Sequence, residues 1–207
     1  YSADILDMAL HQVGQNKKIV RSLPESGFER LTQGRSVILV DVGAIPPIPF
    51  DKKTHISPLA FEFSHGKDRI VVNCGTHKKS FQWADALRRM AGHSTLMLDH
   101  RDVMTIKESG GVLNRSTNTE LYRHEEQGAA FLEAMYDGYF ASHSIVHTRK
   151  FYLGDKGQDI RGEDYLTRDN VASQTVHTVD GVVRFHLHPR VRVSLVRNGE
   201  AALLRLY

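Results

Sequence analysis

Two dipeptides near the end of the chain, Asp180-Gly181 and Asn198-Gly199, constrain its fold more than any other feature. Both central residues of the favoured hairpin turn need a positive φ, which Asn, Asp and Gly adopt most readily. Each dipeptide lies between two runs rich in β-branched and alternating apolar residues. These runs predict one hairpin between residues 174–179 and 182–188, and a second between residues 191–196 and 201–206.

Earlier parts of the chain show the same strand pattern. Residues 36–42 form a β-branched run that ends at a glycine and a proline-rich loop. Residues 59–63 and 69–74 alternate apolar with polar side chains on either side of a turn. Many short strands separated by turn residues are typical of antiparallel sandwiches and barrels. We therefore predict an all-β fold, a two-layer antiparallel β-sandwich.

Three segments depart from this strand pattern. Residues 81–91 have helical spacing of their apolar side chains, and residues 1–23 predict a linker or a weak helix before the main domain, which we place at residues 24–207. Residues 107–128 are polar and rich in turn-forming residues, so they predict a long surface loop.

Composition narrows the range of partners. A net charge of +3 with dispersed basic residues does not favour nucleic acid, and no apolar run approaches the roughly 20 residues that span a membrane. A mild positive charge is compatible with an anionic polymer. Cys74 is the only cysteine, so no internal disulfide can form, and we predict that it is a small buried side chain on one face with Ile70 and Val72.

Histidine is abundant, with 12 in the chain, and several histidines lie in segments that resemble one known family. In chain order the segments read THISPLAFEF at 54–63, RIVVNCGT at 69–76, RRMAGHSTL at 88–96, YDGY at 136–139, HTR at 147–149 and RFHLHP at 184–189. This ordered set, over roughly residues 24–206, resembles the heparinase II/III-like family of polysaccharide lyases.

The resemblance implies a fold and a reaction. Family members place a C-terminal two-layer antiparallel β domain beside an N-terminal α/α toroid, with the active cleft between the two. They cleave uronate-containing glycans by β-elimination, with an Asn or His and a catalytic Tyr from the toroid, and a His and a structural zinc site from the β domain. The implied partners are an acidic polysaccharide and a toroid domain of the same protein, without which we expect the isolated domain to be inactive. The compartment stays open between bacterial periplasm and cytoplasm.

The family's functional positions are only partly kept in this chain. Lys53 falls where the catalytic His is found, so the catalytic residue is unknown, and Ser57 falls on an Asp position. The zinc ligands would be His55, Asn73 and His93, with an amide in place of the family's carboxylate. An uncharged amide oxygen is a poorer zinc ligand than a carboxylate, so we expect zinc to be weakly bound or absent, with the three side chains still meeting at one point.

Four further side chains are candidate substrate contacts. The guanidinium groups of Arg88 and Arg89 suit acidic sugar groups, although a solvated helix end explains them equally well. His186 and His188 share one strand face, which either lines a saccharide cleft or is an ordinary polar sheet face. The sequence therefore supports a lyase-like domain, with a non-catalytic anionic-glycan-binding module or a structural module as alternatives.

Overall fold

The computed structural model describes residues 22–23, 26–114, 117–168 and 178–206, and within them every strand pairing is antiparallel. The strands are β1 Ser22–Leu23, β2 Phe28–Gln33, β3 Ser36–Asp41, β4 Phe61–His65, β5 Asp68–Val72, β6 Leu96–Leu98, β7 Thr105–Ile106, β8 Val112–Leu113, β9 Thr119–Glu126, β10 Ala129–Tyr136, β11 Ile145–Leu153, β12 Ile160–Arg168, β13 Gly181–Val183, β14 His186–Leu187, β15 Val191–Val196 and β16 Ala201–Leu206. The described α-helices are α1 Phe81–Arg88 and α2 Phe140–His143.

Two sheets form the body of the domain. In the described part of the chain, one sheet has the order β1-β2-β3-β4-β5-β14 and the other has the order β12-β11-β10-β9. Their facing side chains form one buried core, in which Leu31, Ile38, Val40, Phe61 and Val71 of the first sheet meet Ala130, Leu132, Phe151 and Leu153 of the second. This arrangement confirms the predicted two-layer antiparallel sandwich, because each sheet buries one face against the other.

A second core lies under the loops at one end of the sandwich. It joins Ile56 and Leu59 of the loop before β4 to Met90 and to β6, and it continues to Tyr136 and Tyr139 at the end of β10. The Tyr139 hydroxyl donates to the Leu96 carbonyl at 2.9 Å, so even the polar atom of this buried ring has a partner. This core fixes the loop that carries the candidate site.

The last hairpin agrees with the sequence prediction to the residue. β15 and β16 pair from Val191↔Leu206 to Val196↔Ala201, and the turn residues Asn198 and Gly199 have φ values of 55° and 94°. Cross-strand partners share a face, so one face of this two-stranded sheet carries only apolar side chains: Val191, Val193, Leu195, Ala202, Leu204 and Leu206. Most of these side chains are exposed, since the two strands contact mainly each other.

The Asp180-Gly181 turn was predicted wrongly. Gly181 begins β13, which pairs with the distant strand β6, and the Asp180 carbonyl accepts from the Asp99 amide at 2.7 Å. The predicted strand 182–188 is also divided, because β13 joins β6 while β14 joins β5 of the large sheet. Thr178 and Val179 are not in a strand, and residues 174–177 lie outside the described residues.

The predicted loop at 107–128 was wrong over much of its length. β7 and β8 pair across its first part, and the eight-residue strand β9 fills its end. β9 is the edge strand of the second sheet, and nearly all of its residues are exposed. A strand with water on both faces has no hydrophobic alternation, which is why its polar composition resembled a loop.

Three smaller predictions can be compared with the structure. The helix predicted at 81–91 forms as α1, followed by a 3-10 turn at Met90–Gly92. Cys74 is exposed and not buried, and β5 buries Val71 between the residues predicted to face the core. The helix predicted within residues 1–23 lies outside the described residues except for Ser22–Leu23, which pairs with β2. None of the described helices is long and apolar enough to cross a membrane.

Candidate functional site

The loop between β3 and β4 carries the candidate site and is anchored from below. Asp51 is only 3% exposed, and its Oδ2 accepts from the Val112 amide at 3.0 Å. Arg88, at the end of α1, donates to the carbonyls of Thr54 at 2.8 Å and Gly110 at 2.8 Å. These bonds tie the 3-10 turn at Phe50–Lys53 to α1 and β8, so the side chains that follow are held in fixed positions.

His55 of this loop is in direct contact with His93, which follows the 3-10 turn after α1. The Nδ1 atom of His55 lies 3.1 Å from Nε2 of His93, and the two rings are nearly perpendicular. His93 Nδ1 lies 2.8 Å from the Arg89 carbonyl, which can only accept, so Nδ1 carries a proton. In the neutral ring Nε2 is then the acceptor, and His55 Nδ1 is the donor. The predicted meeting of the two histidines is therefore found, while their role as zinc ligands stays a prediction.

Asn73 bonds to Ser94, the residue after His93, and connects three strand ends. Its Oδ1 accepts from the Ser94 amide at 2.8 Å, and its Nδ2 donates to Glu62 Oε1 at 3.4 Å. The Ser94 hydroxyl in turn donates to the Val72 carbonyl at 2.9 Å and accepts from the His186 amide at 2.9 Å. No three His, Cys, Asp or Glu side chains of the described residues are grouped so that they could hold one metal ion.

Burial keeps the two histidines neutral near pH 7. Burial lowers the pKa of His93 to about 4, and burial together with the Arg88 charge lowers the pKa of His55. His93 is 3% exposed and both of its ring nitrogens are occupied by protein partners. Neither ring therefore presents the protonated, accessible nitrogen that a general acid needs.

A cavity of about 360 Å³ opens next to His55. Its polar lining comes from several elements: Ser26, Asp41, Lys53, Thr54, His55, Ser57, Thr117 and Tyr136. Lys53 is exposed at the last residue of the 3-10 turn, whereas Tyr136 is 3% exposed. A volume in the range of small-molecule sites, with a few polar groups that converge on it, is the usual form of a ligand pocket.

Burial shifts the pKa of two acidic groups in the cavity wall. It raises the pKa of Asp41, whose Oδ2 accepts from the Ser57 hydroxyl at 2.6 Å and whose Oδ1 accepts from the Gly43 amide at 3.2 Å. Burial also raises the pKa of Tyr136, and its hydroxyl makes no hydrogen bond of ordinary geometry within the described residues. Buried polar atoms of this kind usually find a water or ligand partner.

A partly buried ion pair within the second sheet holds Arg149 against this site. Arg149 of β11 binds both carboxylate oxygens of Asp164, at 2.7 Å and 3.0 Å, and donates to the carbonyls of Leu59 and Ser94. His147 lies 2.7 Å from the same carboxylate. Burial acts to raise the pKa of Asp164, but hydrogen bonds from His147 and Arg149 bring it down to about 2. The HTR segment at 147–149 is part of the family resemblance, but the sequence alone does not predict this ion pair.

The four predicted substrate contacts already have protein partners. Arg88 binds backbone carbonyls, and Arg89 pairs with Asp85 at 3.1 Å and Asp102 at 3.2 Å. His186 contacts the Ala91 carbonyl and Cys74 Sγ, and His188 lies 3.2 Å from the Arg69 guanidinium. None of the four lines the cavity beside Lys53, and their binding of a glycan stays a prediction.

The described residues form a two-layer antiparallel β-sandwich with a histidine pair beside a cavity. Residues 15–206 match the family model described as heparinase II/III-like, C-terminal. Because this match covers nearly the whole chain, the chain belongs to the heparinase II/III-like family and is a polysaccharide lyase-related module.

The chain is similar in part to three known proteins. FtsZ-localized protein C of Caulobacter vibrioides is 27% identical over 197 residues, which cover 90% of this chain and 34% of that protein. The chain thus spans about a third of this relative. A heparinase III structure and a heparan sulfate lyase mutant from Pedobacter heparinus each have a TM-score of 0.47 and 17% identity, over 65% and 63% of this chain and 20% and 19% of theirs.

Proposed function

We propose that this domain binds an acidic saccharide in the cavity beside Lys53 and has no proton-transfer group at that position. The cavity is the observation that carries the proposal, because its size and its polar lining suit a ligand rich in hydroxyl groups. The Lys53 ammonium at its mouth is a flexible point charge that attracts a carboxylate. Lys53 also stands where the resemblance puts the catalytic His, so a charge contact replaces a proton-transfer group there.

The buried His93 supports binding over catalysis. His93 is buried with both nitrogens bonded, and His55 uses Nδ1 on His93. Their lowered pKa values leave them uncharged at neutral pH. A group that removes or delivers a proton must reach the reacting atom, and His93, with both ring nitrogens bonded and no place in the cavity lining, does not reach it.

The test is a titration of the chain with uronate-containing and neutral oligosaccharides by calorimetry at two salt concentrations. Lys53→Gln is the variant, and Lys52→Gln is the matched control, because Lys52 is exposed in the same turn but does not line the cavity. Loss of one charge-assisted contact weakens uronate binding about tenfold for Lys53→Gln, with no change for Lys52→Gln. Equal effects of the two variants, or equal affinity for neutral sugars, would refute the proposal.

Lyase activity of a longer protein is the alternative that the family supports. The β-elimination would then depend on an Asn or His and a Tyr from a helical domain, as the resemblance implies, with this chain holding the glycan. The chain alone yields no unsaturated uronate, which absorbs in the near ultraviolet. Turnover by the longer protein that survives Lys53→Gln would favour a catalytic centre outside this cavity.

A role at the division site is a second candidate, and one similarity favours it. The Caulobacter relative matches 90% of this chain and is named for its localization with FtsZ. We infer that a longer protein carrying this domain also localizes with FtsZ. A fluorescent fusion of that protein, imaged with labelled FtsZ, should form a midcell band, and diffuse fluorescence in dividing cells would contradict the inference.

A further inference from the structure

The histidine pair alone does not distinguish a metal site from a hydrogen-bonded junction. Two nitrogens on one tetrahedral zinc, with bonds of roughly 2.0–2.1 Å, lie about 3.3 Å apart. The observed separation of 3.1 Å between His55 Nδ1 and His93 Nε2 is close to this value and equally close to a hydrogen bond. The third position of the site therefore decides the question.

Asn73 at the third position uses both the oxygen and the nitrogen of its amide. Its oxygen accepts from the Ser94 amide, and its nitrogen donates to the Glu62 carboxylate. The Asn73 backbone amide donates to the same Glu62 oxygen at 3.2 Å. An aspartate could not donate to Glu62, and it would bring a second negative charge to within hydrogen-bond distance of that carboxylate. The neighbours of residue 73 thus favour an amide where no metal compensates the charge.

We propose that this chain holds the junction of its three strand ends by direct hydrogen bonds, with Asn73 as the tie in place of a metal ligand. Every polar atom that a metal would recruit has a protein partner: His93 Nδ1 binds the Arg89 carbonyl, His93 Nε2 binds His55, and Asn73 binds Ser94 and Glu62. It follows that Asn73→Asp alone restores a zinc site, because Zn²⁺ would then neutralise the paired carboxylates and gain a charged third ligand.

The experiment compares the native chain with Asn73→Asp, both in a Cys74→Ser background. This background is needed because Cys74 Sγ lies 3.5 Å from His186 Nδ1, and a thiolate with a histidine could bind zinc by itself. Zinc content is measured by elemental analysis, and Tm is measured with chelator and with added zinc. The native chain should hold substoichiometric zinc and show the same Tm in both conditions.

The Asn73→Asp variant should behave in the opposite way. Without metal its Tm falls, because the introduced carboxylate would repel Glu62, and zinc at about 100-fold above its Kd raises Tm by about 5–10 °C. Adding Glu62→Gln to this variant relieves the repulsion and reduces the metal-free loss. Two results would overturn the proposal: one zinc per native chain whose removal lowers Tm, or no zinc response in a folded Asn73→Asp variant. If that variant fails to fold, the zinc content of the native chain still decides.

Discussion

Replacing Asp164 with Asn tests how much the Arg149–Asp164 ion pair, which joins β11 to β12 within the second sheet, stabilises the domain. The Arg149 side chain is 3% exposed and the Asp164 side chain 21%, so the variant leaves a buried guanidinium without its counter-charge. Breaking one side of such a pair costs about 3–5 kcal/mol. The partial exposure of Asp164 places the expected loss near the lower end, about 3 kcal/mol. In a domain of this size that corresponds to a fall in Tm of about 6–12 °C.

The pH dependence of stability gives a second measure of the same pair. The pKa of Asp164 falls from 3.8 to about 2 on folding, so the unfolded chain binds the proton first as the pH is lowered. The ionised Asp164 carboxylate stabilises the folded state by about 2 kcal/mol. This stabilisation is complete above pH 3.8 and is lost as the pH falls toward 2. Asp164→Asn should lack this part of the acid-induced loss.

Urea unfolding at pH 7, 4 and 3 measures both effects, because each midpoint and slope give a free energy of unfolding. Asp159→Asn is the control, since Asp159 pairs with Arg161 at the surface, where both side chains are well exposed, and little change is expected. The reasoning would be refuted if Asp164→Asn were as stable as the native chain at pH 7 or kept the native loss between pH 4 and 3.

Three further predictions concern single residues. Burial lowers the pKa of His93 from 6.5 to about 4, so the unfolded state takes up a proton first as the pH falls. The native chain should therefore lose about 2 kcal/mol of stability between pH 7 and 5. His93→Gln should reduce this loss, as measured by urea unfolding. Gly138→Ala would place Cβ 2.2 Å from the Tyr136 ring, so it should cost about 1–3 kcal/mol, and an unchanged Tm would show that the ring can move aside. Gly199→Val at φ 94° should reduce hydrogen-exchange protection of β15 and β16 without lowering the main Tm, and loss of protection throughout the sandwich would contradict their independence.

The sequence predicts those elements whose structure is set by neighbouring residues. The hairpin at Asn198-Gly199 is local, because its two turn residues and its flanking runs are sufficient to fix the register. The Asp180-Gly181 turn has the same local signal, but β6 and Asp99 provide partners that only the tertiary fold supplies. At this position pairing with β6 is favoured over the local preference for a hairpin turn.

The candidate site, like the fold, could be predicted only in part from the sequence. The family resemblance correctly predicted that His55 and His93 lie close together, although they are 38 residues apart in the chain. It did not predict that Asn73 would serve as a tie to Glu62, or that Arg149 would reach the Ser94 carbonyl from the other sheet. Those contacts depend on which carbonyls and carboxylates the fold leaves without partners, and a chain pattern carries no such information.

The hairpin of β15 and β16 has a consequence for how its sequence can change over evolution. An isolated two-stranded sheet gains little from its own pairing, and in the described part of the chain its apolar face covers neither of the two cores. Substitutions on that face therefore carry little penalty for folding, and drift alone would soon fill it with polar residues. If relatives retain leucine and valine there, the selection that keeps them must act through something the hairpin touches, and not through the stability of the sandwich.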